Sequence, residues 1–134
     1  IDENQSKDNR LKINSIGMMN MENNIKANVS LSDGETVYEG SSVKVKSVSN
    51  KYKALAEATI MAVENYVNAK SMFYLEGIEK IRFAGVDVFL CAIGYTYKNS
   101  ENLLIGSSVI KTDENEAVVK SVLDALNRLI SKMS

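Results

Sequence analysis

Gly40-Ser41-Ser42-Val43 and Gly106-Ser107-Ser108-Val109 are the same tetrapeptide. Each closes an apolar–polar alternation and is followed, after a short polar stretch, by an Ala-rich amphipathic segment. The flanks keep step as well: residues 11–16 match 73–78, 25–31 match 86–93, and Ala62-Val63 matches Ala125-Leu126. The offset runs from about 62 to 66 and back to 63, as loops of unequal length between matched elements would produce. The chain is one unit written twice. A half of about 60 residues is marginal by itself, so the halves must share a core. We therefore expect one domain over residues 11–134, built of repeats at about 11–70 and 71–134.

Within each repeat the pattern reads as three strands and a helix. Residues 11–21 alternate in short pieces, as an irregular strand with Gly17 allowing a bulge. Ile25, Ala27, Val29 and Leu31 alternate with polar residues, the period of a half-buried strand. Asp33-Gly34 turns the chain into a third strand over 37–45, and Ser49 or Asn50 is expected to cap a helix over 51–68. The second repeat predicts strands over 73–83, 86–97 and 102–111, with a turn at Ala84-Gly85 and a loop at 98–101. Its helix, over 114–132, opens on Asp113 and Glu116, a capping-box-like pair, and carries Arg128 and Lys132 near its negative end. The fold class is α+β: a tandem βββα repeat of pseudo-two-fold symmetry, its helices on one side of antiparallel sheet.

The last helix has two apolar stripes, Val118-Val122-Ala125-Leu129 and Val119-Leu123-Leu126-Ile130. One stripe suffices to cover a sheet; the other is available for the first helix, for a second subunit, or for both.

Composition narrows the function classes. With 16 basic and 17 acidic residues in 134, no net field recruits nucleic acid or an anionic membrane. An RNA-binding α/β module is the third reading, and the balanced charge argues against it. There is no histidine, hence no ordinary neutral-pH base, no imidazole metal ligand and no triad. Cys91 lies in an apolar run and reads as a buried reduced thiol, and no constellation of Asp, Glu, Lys, Tyr or Cys suggests an enzyme, a metal or a cofactor. No run is long and apolar enough to be a signal or a membrane span, so a cytoplasmic location is expected. Residues 1–10 are polar, begin with Ile1, and read as a linker stub from a longer polypeptide.

Candidate binding residues cluster around the repeated tetrapeptide. Gly40, Ser41 and Ser42, with Gly106, Ser107 and Ser108, offer backbone N–H groups and hydroxyls to an anion near a helix start. The competing reading is structural, with glycine marking a bulge and serine facing solvent. Thr112, Asp113 and Glu116 are explained by capping alone. Lys44, Lys46, Lys51 and Lys53 form the one local basic cluster, and alternating lysines also suit a protected sheet edge. The tyrosines are read as packing residues.

The tandem unit, with Thr112-Asp113-x-x-Glu116-Ala117 and the ending Ala125-Leu126-Asn127-Arg128-Leu129, resembles the C-terminal regulatory domain of 2-isopropylmalate synthase and citramalate synthase. Leu11-Lys12-Ile13 and Tyr74-Leu75-Glu76-Gly77-Ile78 are similar to the openings of that family's two repeats. The resemblance implies a non-catalytic domain that forms a homodimer and binds a branched-chain amino acid, leucine or isoleucine, between the copies. It adds Ser49 and Asn50, in the segment leading into the first helix, to the expected effector site. The family's Gly-Pro turn before the first helix has no counterpart after Gly40-Ser41-Ser42. A stand-alone scaffold or interaction module without an effector is therefore the alternative.

Overall fold

A computed structural model describes residues 11–133; the expected linker at 1–10 lies outside the described residues. The order is β1 (Lys12–Asn20), β2 (Asn24–Ser32), β3 (Val37–Val45), α1 (Val48–Val67), β4 (Phe73–Phe83), β5 (Val86–Tyr97), β6 (Ser100–Val109) and α2 (Glu114–Met133). This is the βββα unit twice. The six strands form two antiparallel meanders, β1-β2-β3 and β4-β5-β6.

Register carries the repeat down to single residues. Val29 pairs with Gly40 and Cys91 with Gly106; Leu31 pairs with Ile13 and Ile93 with Leu75. Both opening strands slip by one residue at the same place, at Asn14 in β1 and at Glu76 in β4. The bulge expected at Gly17 instead lies three residues earlier, at Asn14, since Gly17 sits in regular register opposite Asn28.

Alternation then sorts the faces. Ala27, Val29 and Leu31 of β2, and Phe89, Cys91 and Ile93 of β5, are buried beneath the helices. α1 packs on its own sheet, on α2 and on β4; α2 packs on its own sheet and reaches across to β1. Each helix thus touches the first strand of the other repeat. A single apolar cluster runs through both halves, joining Leu31, Leu55 and Val63 to Phe89, Val122 and Leu126. Both apolar stripes of α2 are consumed inside the chain: Val118, Val119, Val122, Ala125, Leu126 and Ile130 are buried.

The repeated glycines set the helix–sheet distance. A Cβ on Gly40 would run into the carbonyl oxygen of Ala58 and stand 2.6 Å from the amide nitrogen of Ala62. One on Gly106 would meet the carbonyl oxygen of Ser121 and stand 2.5 Å from the nitrogen of Ala125. These glycines mark no bulge; they let the helix backbone rest on the strand.

Local chemistry moves some boundaries. Ser47 caps α1 by accepting the N–H of Asn50 at 3.0 Å, so Ser49 and Asn50 lie inside the first turn and not at the cap. Asn50 instead donates its side-chain amide to the Val45 carbonyl at 2.9 Å. Asn68, at φ 58°, ends the helix in the left-handed conformation. The 98–101 loop is tighter than expected: Lys98 and Asn99 both take positive φ, Tyr97 pairs with Ser100, and β6 begins there. Asp113 Oδ1 accepts the N–H of Asn115 at α2's start, while Glu116 lies 3.7 Å from Lys120.

Candidate functional site

The pseudo-two-fold arrangement creates two matching grooves, each between the helix of one repeat and the first strand of the other. One, about 490 Å³, lies between α1 and β4. Its counterpart between α2 and β1 is about 670 Å³. Their walls correspond by sequence offset: Phe73 and Leu75 to Leu11 and Ile13, Ile60 to Leu123, Glu57 to Lys120, and Glu64 to Asn127.

Side-chain pairing distinguishes them. In the α1–β4 groove the carboxylates are occupied by the protein. Glu64 Oε2 accepts the N–H groups of Met72 at 2.9 Å and Phe73 at 3.0 Å, tying down the entry to β4. Glu57 takes Lys44 at 3.0 Å and the Ser42 hydroxyl at 3.2 Å.

In the α2–β1 groove the residue at the position of Glu64 is Asn127, whose Oδ1 is buried with no hydrogen-bond partner. A buried acceptor left unpaired costs about 1–3 kcal/mol, so a donor brought to it is favoured. Leu11, Ile13 and Leu123 give this groove an apolar floor. Glu116 and Asp124 supply negative charge, Lys120 and Arg128 positive. Asp124 Oδ2 also accepts the backbone N–H of Ser107 at 3.0 Å, fixing the β6 edge against the helix. Among the described residues Arg128 has no carboxylate partner.

The structure distributes the sequence-derived site residues rather than gathering them. Gly40 and Gly106 are buried under the helices. Ser42 faces α1 through Glu57, and Ser41 lies on the opposite sheet face, beside Asn28 and Ser30 in an outer hollow of about 490 Å³. Ser49 and Asn50 belong to the first turn of α1, and Thr112 is an exposed residue just before α2. Ser108, Asp113 and Glu116 line a shallow hollow of about 260 Å³ at that helix start. Of the set, Ser107 and Glu116 reach the α2–β1 groove. Lys12, Asp124, Asn127 and Arg128 were not expected there. The signal that singles out Asn127 is its alignment with Glu64, where the repeats exchange a carboxylate for an amide.

A second polar cluster stitches the repeats together. Glu114 at the start of α2 accepts the Tyr52 hydroxyl of α1 at 3.0 Å and the Lys80 ammonium of β4 at 2.6 Å. These bonds, Lys80 first, hold the Glu114 carboxyl below its usual range. Glu114 in turn raises Lys80. Burial and then the Glu114 bond raise Tyr52, whose ring also packs edge-on to Phe89 at 4.8 Å. Cys91 is buried beneath α2, with Sγ 3.2 Å from the Ser121 carbonyl, and burial raises its thiol. That is an inert thiol, as its apolar surroundings predicted.

Among the described residues no three His, Cys, Asp or Glu side chains converge as a metal site, and no helix is long and apolar enough to cross a membrane. No protein-family model and no curated protein matches this chain.

Proposed function

We propose that this chain is a non-catalytic regulatory domain that binds a small zwitterionic metabolite, of the branched-chain amino acid class, in the groove between α2 and β1. The observation that carries this reading is Asn127, which lines the groove with its side-chain Oδ1 unpartnered, in a groove that also holds the apolar Leu11, Ile13 and Leu123 and charges of both signs. An α-ammonium donates to Asn127 with Glu116 or Asp124 nearby, an α-carboxylate is drawn to Arg128 and Lys120, and an aliphatic side chain covers Leu11, Ile13 and Leu123. The groove volume of about 670 Å³ falls within the ordinary range for small-molecule sites. The resemblance to the 2-isopropylmalate synthase regulatory domain points to the same ligand class, and a cytoplasmic setting suits the reduced Cys91.

Calorimetric titration with leucine, isoleucine and valine, with glutamate and lysine as controls, tests the reading. Saturable heat for the aliphatic amino acids, lost in Asn127→Leu, is the expected result. No heat for any aliphatic amino acid at millimolar concentration overturns it. The alternative, an interaction module without an effector, is favoured by one observation of its own: the outer face of the second sheet is largely apolar.

A further inference from the structure

Register assigns the residues of the second sheet to two faces, and the face turned away from α2 is largely apolar. Ile81, Val88 and Val109 form one cross-strand row; Gly77, Ala92 and Ile105 form another. Phe83 and Val86 close one end, with Phe83 68% exposed. At the other, the Tyr74 ring lies across Gly94, leaving no room there for a Cβ, beside Leu103 at 56% exposure.

The corresponding face of the first sheet is mixed: Met19, Val37, Val43 and Val45 are exposed on it, but its centre is polar. Where β5 presents Val88, Leu90 and Ala92, β2 presents Lys26, Asn28 and Ser30; where β6 has Ile105, β3 has Glu39. One duplicated unit thus has a polar centre to its outer face in the first copy and an apolar one in the second. Folding requires the inner face, and the first copy shows that a polar centre on the outer one is compatible with it.

We propose that this face of β4-β5-β6 is a two-fold interface, covered by the same face of a second copy of this chain. Two arguments select that occupant. The first is area: three strands about 4.8 Å apart and about ten residues long at 3.3 Å each span about 14 by 33 Å. That is a projection of about 460 Å² per partner, and side-chain relief raises the accessible area, which brings the two faces to the roughly 1,000 Å² of a specific interface.

The second is self-complementarity of the polar groups. Between the Phe83-Val86 end and the Tyr74-Gly94-Leu103 row the one polar row is the middle one, Glu79-Leu90-Ser107, which ends in a carboxylate on β4 and a hydroxyl on β6; past Gly94, Thr96 and Glu101 add a polar pair at the rim. A two-fold axis running along β5 places β4 of one copy over β6 of its partner. It sets Glu79 over the partner's Ser107 and Gly77 over the partner's Ile105, small against large. A charged partner would find Glu79 in the middle of this face and Glu101 at its rim, and no basic side chain in the rows between them.

Sedimentation velocity across a concentration series, with the purified full chain, tests the proposal. The wild type is expected to sediment at twice the monomer mass at tens of micromolar. Leu90→Asn and Ile105→Glu import the side chains that the first repeat carries at the same positions, and each is expected to weaken the dimer at least tenfold with circular dichroism unchanged. Val43→Glu, on the outer face of the first sheet, should leave it intact. A wild type that stays monomeric at every concentration, its face being covered by something other than a second copy, overturns the proposal. So does a dimer that Leu90→Asn and Ile105→Glu leave untouched, or one that Val43→Glu dissociates.

Discussion

Replacing Gly40 by alanine puts one methyl group where the backbone of α1 already lies. The new Cβ collides with the Ala58 carbonyl and stands 2.6 Å from the Ala62 nitrogen, against about 3.4 Å for ordinary contact. Both obstacles are helix backbone, so no rotamer change relieves them. α1 must lift by at least about 0.8 Å, and a gap of 0.5–1 Å forfeits a quarter to a half of each dispersion contact it opens. Overpacking of well-packed sites costs about 1–3 kcal/mol, and a backbone-on-backbone clash belongs at the top of that range. Against it stands a gain of about 0.5–1 kcal/mol for removing a glycine from a strand. The net expectation is a loss of about 2–2.5 kcal/mol, or about 10 °C in Tm for a domain of this size.

Urea unfolding followed by circular dichroism measures it, at one fixed protein concentration so that self-association does not enter. Gly106→Ala, facing Ser121 and Ala125, should lose the same amount within about 1 kcal/mol. Gly17→Ala, whose nearest neighbour is Asn28 Cβ at 3.9 Å, is the control and should be neutral or slightly stabilising. Gly40→Ala within about 0.5 kcal/mol of wild type would refute the reasoning, as would an equal loss in Gly17→Ala.

The Glu114 cluster makes stability depend on pH at both ends. Its carboxyl is depressed, so its contribution is complete above the unfolded carboxylate value and declines as pH falls through the lower folded value; Tyr52 and Lys80 are raised, so theirs is complete below their unfolded values and lost in strong alkali. Glu114→Gln should flatten the acid limb of a Tm–pH profile, and an unchanged limb would show the cluster to be inert. Glu64→Ala leaves the N–H groups of Met72 and Phe73 without their shared acceptor and should cost about 1.5–3 kcal/mol in urea unfolding, with faster amide exchange at the head of β4.

Elements with local causes were legible in the sequence. β3, β4 and β5 follow from alternation and from turn residues at their ends, and they fall where the pattern puts them. What escaped notice had a cause without a local signature. Lys98 and Asn99 adopt positive φ without glycine, so the turn between β5 and β6 read as a longer loop. Ser47 and Asn50 both suit a cap, and only the geometry makes Ser47 the acceptor. The α2–β1 groove joins residues more than a hundred positions apart through the crossing of the two repeats, which no window of sequence contains. The outer face of the second sheet did leave a trace. Residues 88–93, Val-Phe-Leu-Cys-Ala-Ile, lack the polar alternation of a strand with one wet face, and such runs belong to strands covered on both sides. The chain's own helices cover one.

Ser107 belongs to both proposed sites. Its backbone N–H is held by Asp124 in the α2–β1 groove, while its side chain occupies the polar row of the second sheet's outer face. A ligand ammonium that competes for Asp124 weakens the bond fixing the β6 edge, and the interface is built on that edge. If binding and dimerisation are linked this way, each must change the other's affinity by the same factor, because linkage between equilibria is reciprocal. The expected coupling is of the usual allosteric size, about 5-fold or more in the dimer dissociation constant at saturating amino acid. Sedimentation with and without leucine reads one side of the cycle; leucine titration above and below the dimer dissociation constant reads the other. Asp124→Asn, which retains an acceptor for Ser107 but not the charge that attracts an ammonium, should leave dimerisation in place and reduce the coupling. Dissociation constants equal within twofold in the presence and absence of ligand would show the groove and the sheet face to be independent, and the Ser107 argument would fall while each site stood or fell by its own test.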